Sequence, residues 1–178
     1  MTHRPLEELE SALDEIRRSP KESGTVALIV RRPEENEREV LEEGRLDLDE
    51  GLVGDRWRLG SGGKTPRPDM QLNVMNARAI AVIAVQRDRW PLAGDQLYVD
   101  LDLSGDNLPP GTRLAIGSAV IEITDQPHRG CAKFAERFGD AARRFVNSPV
   151  GVELNLRGVN AKVVQPGVVR QGDAVRKL

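Results

Sequence analysis

The segment DQPHRGCAKFAERFG, residues 125–139, holds the only cysteine of the chain, Cys131. His128 precedes it by three positions and Lys133 follows it by two, with a proline and a glycine in the same turn. A free structural cysteine behaves as a small hydrophobe and sits among apolar neighbours; this one is set among polar residues. The stretch after Gly130 has helical spacing, which places Cys131 at a helix start. Free N–H groups and a partial positive charge there favour thiolate over thiol. His128, Arg129 and Lys133 are expected to push the same way. A thiol activated like this serves as a nucleophile, a persulfide carrier or a soft-metal ligand. The opposing reading is a partly exposed cysteine with no chemistry of its own.

Several site types are excluded by counting. One cysteine allows no intramolecular disulfide and no multi-cysteine zinc site. His128-x-x-Cys131 offers two ligands, and the other histidine, His3, lies in a charged N-terminal stretch. A thiolate bound to a metal already carried by an organic cofactor stays open. A protease-type Cys–His dyad joins distant segments, whereas these two residues share one turn. Asp55-Arg56 after Gly54 reads as turn residues, as do Pro166-Gly167 and Gly172-Asp173.

The elements that must position the thiol follow from pattern. Residues 5–18 repeat Leu6, Leu9, Leu13 and Ile16 at helical steps, with acids leading and arginines trailing, and form an N-terminal helical extension. Residues 24–32, GTVALIVRR, are rich in aliphatic and β-branched side chains and read as a strand. So do 97–103, 112–124 (a hairpin about Gly117-Ser118) and 152–165, while 59–69 is a Gly- and Pro-rich loop. Asn76 is placed to N-cap a helix over ARAIAVIAVQRD, although AIAVIAV also suits a buried strand. Residues 131–146 put Phe134, Phe138, Ala141 and Phe145 on one helical face. The pattern predicts a mainly β, α+β chain with peripheral helices around a β-barrel-like core. Its division is a helical extension over 1–20 and one domain over 21–178.

Net charge is −2 over 178 residues, split as −7 in residues 1–50 and +5 in the rest. No basic stripe marks a nucleic-acid surface, and aromatics are only 3%, which argues against base stacking. No apolar run reaches the length of a membrane span, and the charged N-terminus is unlike a secretory signal. A cytoplasmic protein is expected, with a small anionic ligand compatible with a few arginines and lysines.

Four segments, in order over roughly 24–176, resemble a MOSC domain, the family named for the C-terminal domain of molybdenum-cofactor sulfurase. They are Gly51–Arg56 (GLVGDR), Ala93–Val99 (AGDQLYV) followed by LDLS, LPPGTRLAIGSAVIEIT leading to QPHRGCAKF, and RGVNAKVVQPGVVRQGDAV. Gln96 stands where many members carry Asn, Asp95 where many carry Glu, and HRG precedes the cysteine in place of a proline found in some relatives. The resemblance implies a MOSC-like β-barrel. It implies that Cys131 carries sulfur as a persulfide, or binds the molybdenum cofactor as a metal ligand. At family level it also brings an association with pyridoxal phosphate and with catalysis. A sulfur donor such as a desulfurase, or a molybdoenzyme or redox partner chain, is then expected, since no ferredoxin-like or aminotransferase-like domain is fused. The site implied comprises Cys131 with His128, Lys133, Arg137, Arg157, Asn160 and Gln96. A non-catalytic module binding a small anion or a partner protein is the alternative.

Overall fold

The computed structural model describes residues 2–178; Met1 of the expected N-terminal extension lies outside the described residues. The strands, in chain order, are β1 (Ser23–Arg31), β2 (Glu39–Leu41), β3 (Glu43–Asp47), β4 (Gly51–Leu52), β5 (Leu72–Asn76), β6 (Leu97–Asp100), β7 (Arg113–Ile116) and β8 (Ala119–Ile123). Three more close the chain: β9 (Val159–Gln165), β10 (Gly167–Arg170) and β11 (Ala174–Lys177). The helices are α1 (Leu6–Ser11), α2 (Leu13–Arg17), α3 (Ala77–Ala84), α4 (Ala132–Phe138), α5 (Asp140–Asn147) and α6 (Pro149–Glu153).

Seven strands close a barrel in the order β1-β11-β7-β8-β9-β5-β6, returning to β1. All of its pairings are antiparallel except β5 with β6. The length of β1 makes closure work. Ser23–Thr25 pair with β11, and Ile29–Arg31 extend past it to pair with β2. Strands β10, β3 and β4 form a separate small sheet.

The strands beneath the helices, β5 and β6, are apolar on both faces because both faces are covered, whereas β7 and β11 alternate buried and exposed residues. Leu72, Val74, Leu97 and Val99 point inward with Leu114, Ile121 and Val169. Met75 and Tyr98, the alternate residues, pack outward against Ile80, Phe134, Phe138 and Phe145 of the helices, as the two-residue period of a strand requires. A register shift in β1 between Val26 and Leu28 keeps Val26 and Ile29 inside and turns Leu28 and Val30 to the helical side.

The expected barrel core is present with changed boundaries; the strand expected over 97–103 ends at Asp100. The 5–18 helix is two short helices broken at Ala12; Leu9 and Ile16 are buried in the helical core, so these helices pack with the body of the domain. The 131–146 helix breaks at Gly139, whose φ of 92° ends α4. The 152–165 strand begins only at Val159, because Ser148 N-caps α6 through Gly151 N and Pro149 fills its first position, a favoured helix start. The ambiguous ARAIAVIA segment is helical: the Asn76 side chain accepts from Arg78 N and Ala79 N.

Val85, just after α3, is strained. Its φ is 65° and ψ −51°, with Gln86 N donating to Ala84 O at 2.7 Å, the geometry of a γ-turn. A β-branched residue is an outlier there, and its side chain is exposed. Val85→Gly is expected to stabilise the fold by about 1 kcal/mol, the strain relieved less the chain entropy glycine adds. An upward shift of the urea midpoint at constant m checks it.

Candidate functional site

Cys131 occupies the N-cap of α4 with an extended backbone (φ −102°, ψ −177°) and is exposed. The turn before it is pinned from α5: Gly130 N donates to Asn147 Oδ1 at 2.9 Å, and Asn147 Nδ2 donates to Gly130 O at 2.8 Å. Partial burial works against the thiolate. The backbone N–H groups of Phe134 and Lys133 and the charge of Arg157 outweigh it, so the thiol pKa lies below its ordinary value.

Arg157 is the electrostatic centre of the site. Its side chain is only 7% exposed. Nη1 donates to Asp95 Oδ2 at 2.6 Å and Nη2 to Ala93 O at 2.8 Å, and the guanidinium lies 4.9 Å from the Phe134 ring centroid. Such stacking on an aromatic face is a favourable cation–π arrangement. Phe134 follows Cys131 by three residues on α4, so one aromatic ring links the buried cation to the thiol's helix. Next to Arg157, Gly158 has φ 112°; a Cβ there would stand 2.5 Å from Val74 O and 3.1 Å from Asp95 Oδ1. Only glycine lets β9 approach the ion pair this closely.

Asp95 is fully buried. Burial alone would raise its pKa, but the charge of Arg157 and the proximity of His128 reverse the direction and keep it ionised. His128 Nε2 lies 3.4 Å from Asp95 Oδ1. Its pKa is lowered, first by burial and then by Arg157, against the pull of Asp95. His128 is therefore neutral near pH 7 and does not supply the positive charge expected of it. Lys133 acts through its backbone N–H, while its ammonium stands 3.8 Å from Glu35. Arg129 turns outward, its Nη1 on His128 O in an exposed position.

The thiol opens into a cleft of about 250 Å³. Of the expected site residues, Cys131, His128, Lys133, Arg137 and Arg157 line it. Asn160 and Gln96 do not; both are fully buried behind it. Asn160 Nδ2 donates to Gln126 O at 3.0 Å and its Oδ1 accepts from Asn73 Nδ2 at 2.7 Å, tying the 126–127 turn to β5. Gln96 Oε1 accepts from Asn73 N at 2.8 Å, and its Nε2 stands 3.3 Å from Asp55 Oδ2. Their place is in the frame of the site.

The cleft also contains Arg32 and Arg38, which pattern alone did not single out, and Arg56, expected as a plain turn residue. Asp55, expected as a plain turn residue, is buried and grips Arg32 at both carboxylate oxygens, 3.0 and 2.7 Å. It also accepts from Trp57 N at 3.0 Å. Arg32 Nη1 reaches Gly94 O at 3.0 Å. Arg38 and Arg137 rest on carbonyls, Pro91 O at 3.0 Å and Leu92 O at 2.7 Å. The pKa of Arg38 is lowered by burial and by the charges of Arg137 and Arg32; the cations of this wall repel one another. A second groove of about 390 Å³ adjoins, sharing Arg32, Arg56 and Asn73 and adding Trp57, Lys64, Arg67 and Met70. Among the described residues no group of three or more His, Cys, Asp or Glu is arranged to hold a metal, and no helix is long and apolar enough to cross a membrane.

The fold and site together define a small seven-strand barrel that presents one cysteine at the edge of a cationic cleft. The MOSC domain family model matches residues 67–176, and the chain belongs to that family. Among solved structures, the YuaD protein from Bacillus subtilis superposes with TM-score 0.61 and 17% identity, over 86% of this chain and 94% of that one. YiiM from Escherichia coli gives TM-score 0.56 and 20% identity, over 86% and 69% of the two chains. A hypothetical protein gives 0.59 and 20%, over 88% and 68%. These are likenesses of fold. No curated protein matches the chain.

Proposed function

We propose that this protein carries sulfur as a persulfide on Cys131. The observation that supports the reading is the exposed thiol of lowered pKa opening into a cleft walled by arginines. A persulfide is an anion at neutral pH, and fixed cations in a partly water-excluded cleft stabilise an anion more than bulk water does. In this reading Cys131 is the nucleophile that accepts and releases the sulfur atom, Arg157 lowers the energy of its charged forms, and Asp95 holds Arg157. Neutral His128 closes the floor of the cleft.

Alkylation by iodoacetamide as a function of pH tests it. The rate follows the thiolate, so its midpoint is expected below the ordinary thiol value of about 8.5. A midpoint at or above that value assigns Cys131 to the bystander role and leaves a module that binds a small anion or a partner protein.

The family is associated with molybdenum-cofactor systems, and the residues fit that group as a second reading. The observation favouring it is the continuity of the thiol cleft with the groove of Trp57, Lys64 and Arg67 through Arg32 and Arg56. The cations of both lobes would hold the cofactor's phosphate, and Cys131 would be the protein's metal ligand. When bound, the cofactor would supply two-electron redox chemistry. Arg157 and Asp95 would keep the same task, fixing a positive charge beside the thiolate.

A further inference from the structure

The cleft at Cys131 carries more positive charge than a thiolate needs. Six cationic side chains line it, including Arg38, Arg56, Lys133 and Arg137, against one lining carboxylate, Glu35. The carboxylates behind the wall, Asp55 and Asp95, each answer one arginine, Arg32 and Arg157. With neutral His128, three positive charges are left over, and two once the thiol ionises. Arg157 also keeps a donor in reserve: its Nε is buried and has no hydrogen-bond partner in the protein, although the side chain is only 7% exposed and lines the cleft. An unmet guanidinium N–H in a buried position is costly unless an acceptor arrives.

From this balance we infer that the sulfur donor is a free sulfane dianion of the thiosulfate class, seated in the arginine-walled cleft beside Cys131. The inference rests on the persulfide reading above and names its substrate. A dianion cancels the two charges left over beside the thiolate, and its oxygens supply the acceptor that Arg157 Nε lacks. The cleft of about 250 Å³ admits a molecule of a few heavy atoms with water around it, a water's share of liquid being about 30 Å³. A neutral donor would leave the excess charge unanswered.

The step balances without a co-reactant. The Cys131 Sγ thiolate attacks the sulfane sulfur; the Sγ–S bond forms as the S–S bond of thiosulfate breaks. Sulfite leaves with the electron pair of that bond, and the protein keeps Cys131 as an anionic persulfide. Three negative charges enter and three remain, which is why fixed cations matter: they offset repulsion between thiolate and dianion and hold the departing sulfite.

The test incubates the full chain with thiosulfate and measures sulfite released, with a neutral organic trisulfide as the comparison donor. About one equivalent of sulfite per protein is expected in a single turnover, and continuous thiocyanate formation when cyanide is added to take the sulfur. Lys133→Glu changes an exposed side chain and leaves the packing alone. It is expected to lower kcat/KM for thiosulfate about tenfold more than for the trisulfide, the scale on which local charge steers a charged substrate. Arg38→Gln is expected to act in the same direction. Loading from the trisulfide with no sulfite from thiosulfate would overturn the donor assignment and leave the carrier standing. Equal losses for both donors in Lys133→Glu would also overturn it. Loading from neither donor removes the carrier reading and this inference with it.

Discussion

Asp95→Ala is expected to lose about 3–5 kcal/mol of folding stability, the cost of leaving a buried charge without its partner. The structure shows why the full cost falls here. Arg157 is held at 2.6 Å by Asp95 and at 2.8 Å by Ala93 O. Its third contact of this kind among the described residues is a weak one, to Met75 Sδ at 4.0 Å. Water has little access to either partner, since both are buried. Asp95→Asn keeps the shape and an acceptor, so its loss is expected to be smaller, about 1.5–3 kcal/mol for a hydrogen bond to a charged group. Combining Asp95→Ala with Arg157→Met removes the stranded charge, and the pair is expected to cost less than the sum of the two single changes. Urea unfolding of the four proteins gives the coupling directly. Additive losses would mean that the ion pair does no more than fill space. The sign with pH follows from the lowered pKa of Asp95. Its contribution is fully present above the unfolded value of about 3.9 and is lost as pH falls through the lower folded one. Asp95→Asn should flatten that acid limb.

The sequence made the barrel strands and the thiol's position legible because both rest on local pattern. β1, the β7–β8 hairpin and the Asn76 cap each follow from a few adjacent residues, and the family resemblance brought Arg157 to the same neighbourhood as Cys131. What it did not reveal depends on closure. Arg32 and Arg38 flank the loop between β1 and β2, and they meet α4 only because β1 is the strand at which the barrel closes. Asp55 looked like a turn residue because its partner, Arg32, is 23 positions away. Gln96 is expected in the site and Asp95 is given no role there, and the structure differs for a similar reason. Both stand next to β6, yet Asp95 meets Arg157 across the site while Gln96 is turned to the β5 backbone. The positive charge expected of His128 is absent because spacing shows a neighbour's type and not its burial. The start of α6 was readable: Ser148 and Pro149 are a capping residue and a first-turn proline, obscured by the aliphatic run that follows.

Cys131→Ser is expected to remove bound sulfane sulfur entirely while leaving the fold intact. The backbone at 131 is the extended N-cap of α4, a position where serine is among the preferred residues. Stability should therefore stay within about 1 kcal/mol of the parent, on the favourable side if the hydroxyl caps Phe134 N. The chemistry does not survive the exchange. A hydroxyl is not ionised near neutral pH, and the lowering produced by backbone N–H groups and Arg157 is far too small to change that. Serine also lacks the polarizable sulfur that bonds to sulfur. The measurement is cyanide-released sulfane sulfur after incubation with a trisulfide, on parent and variant purified in parallel, with urea midpoints to confirm the fold. The parent is expected to hold about one equivalent and the variant none. Equal loading would place the sulfur elsewhere on a chain whose only thiol is Cys131. Such a result would point to trapping of the donor in the cationic cleft, with no covalent step at all.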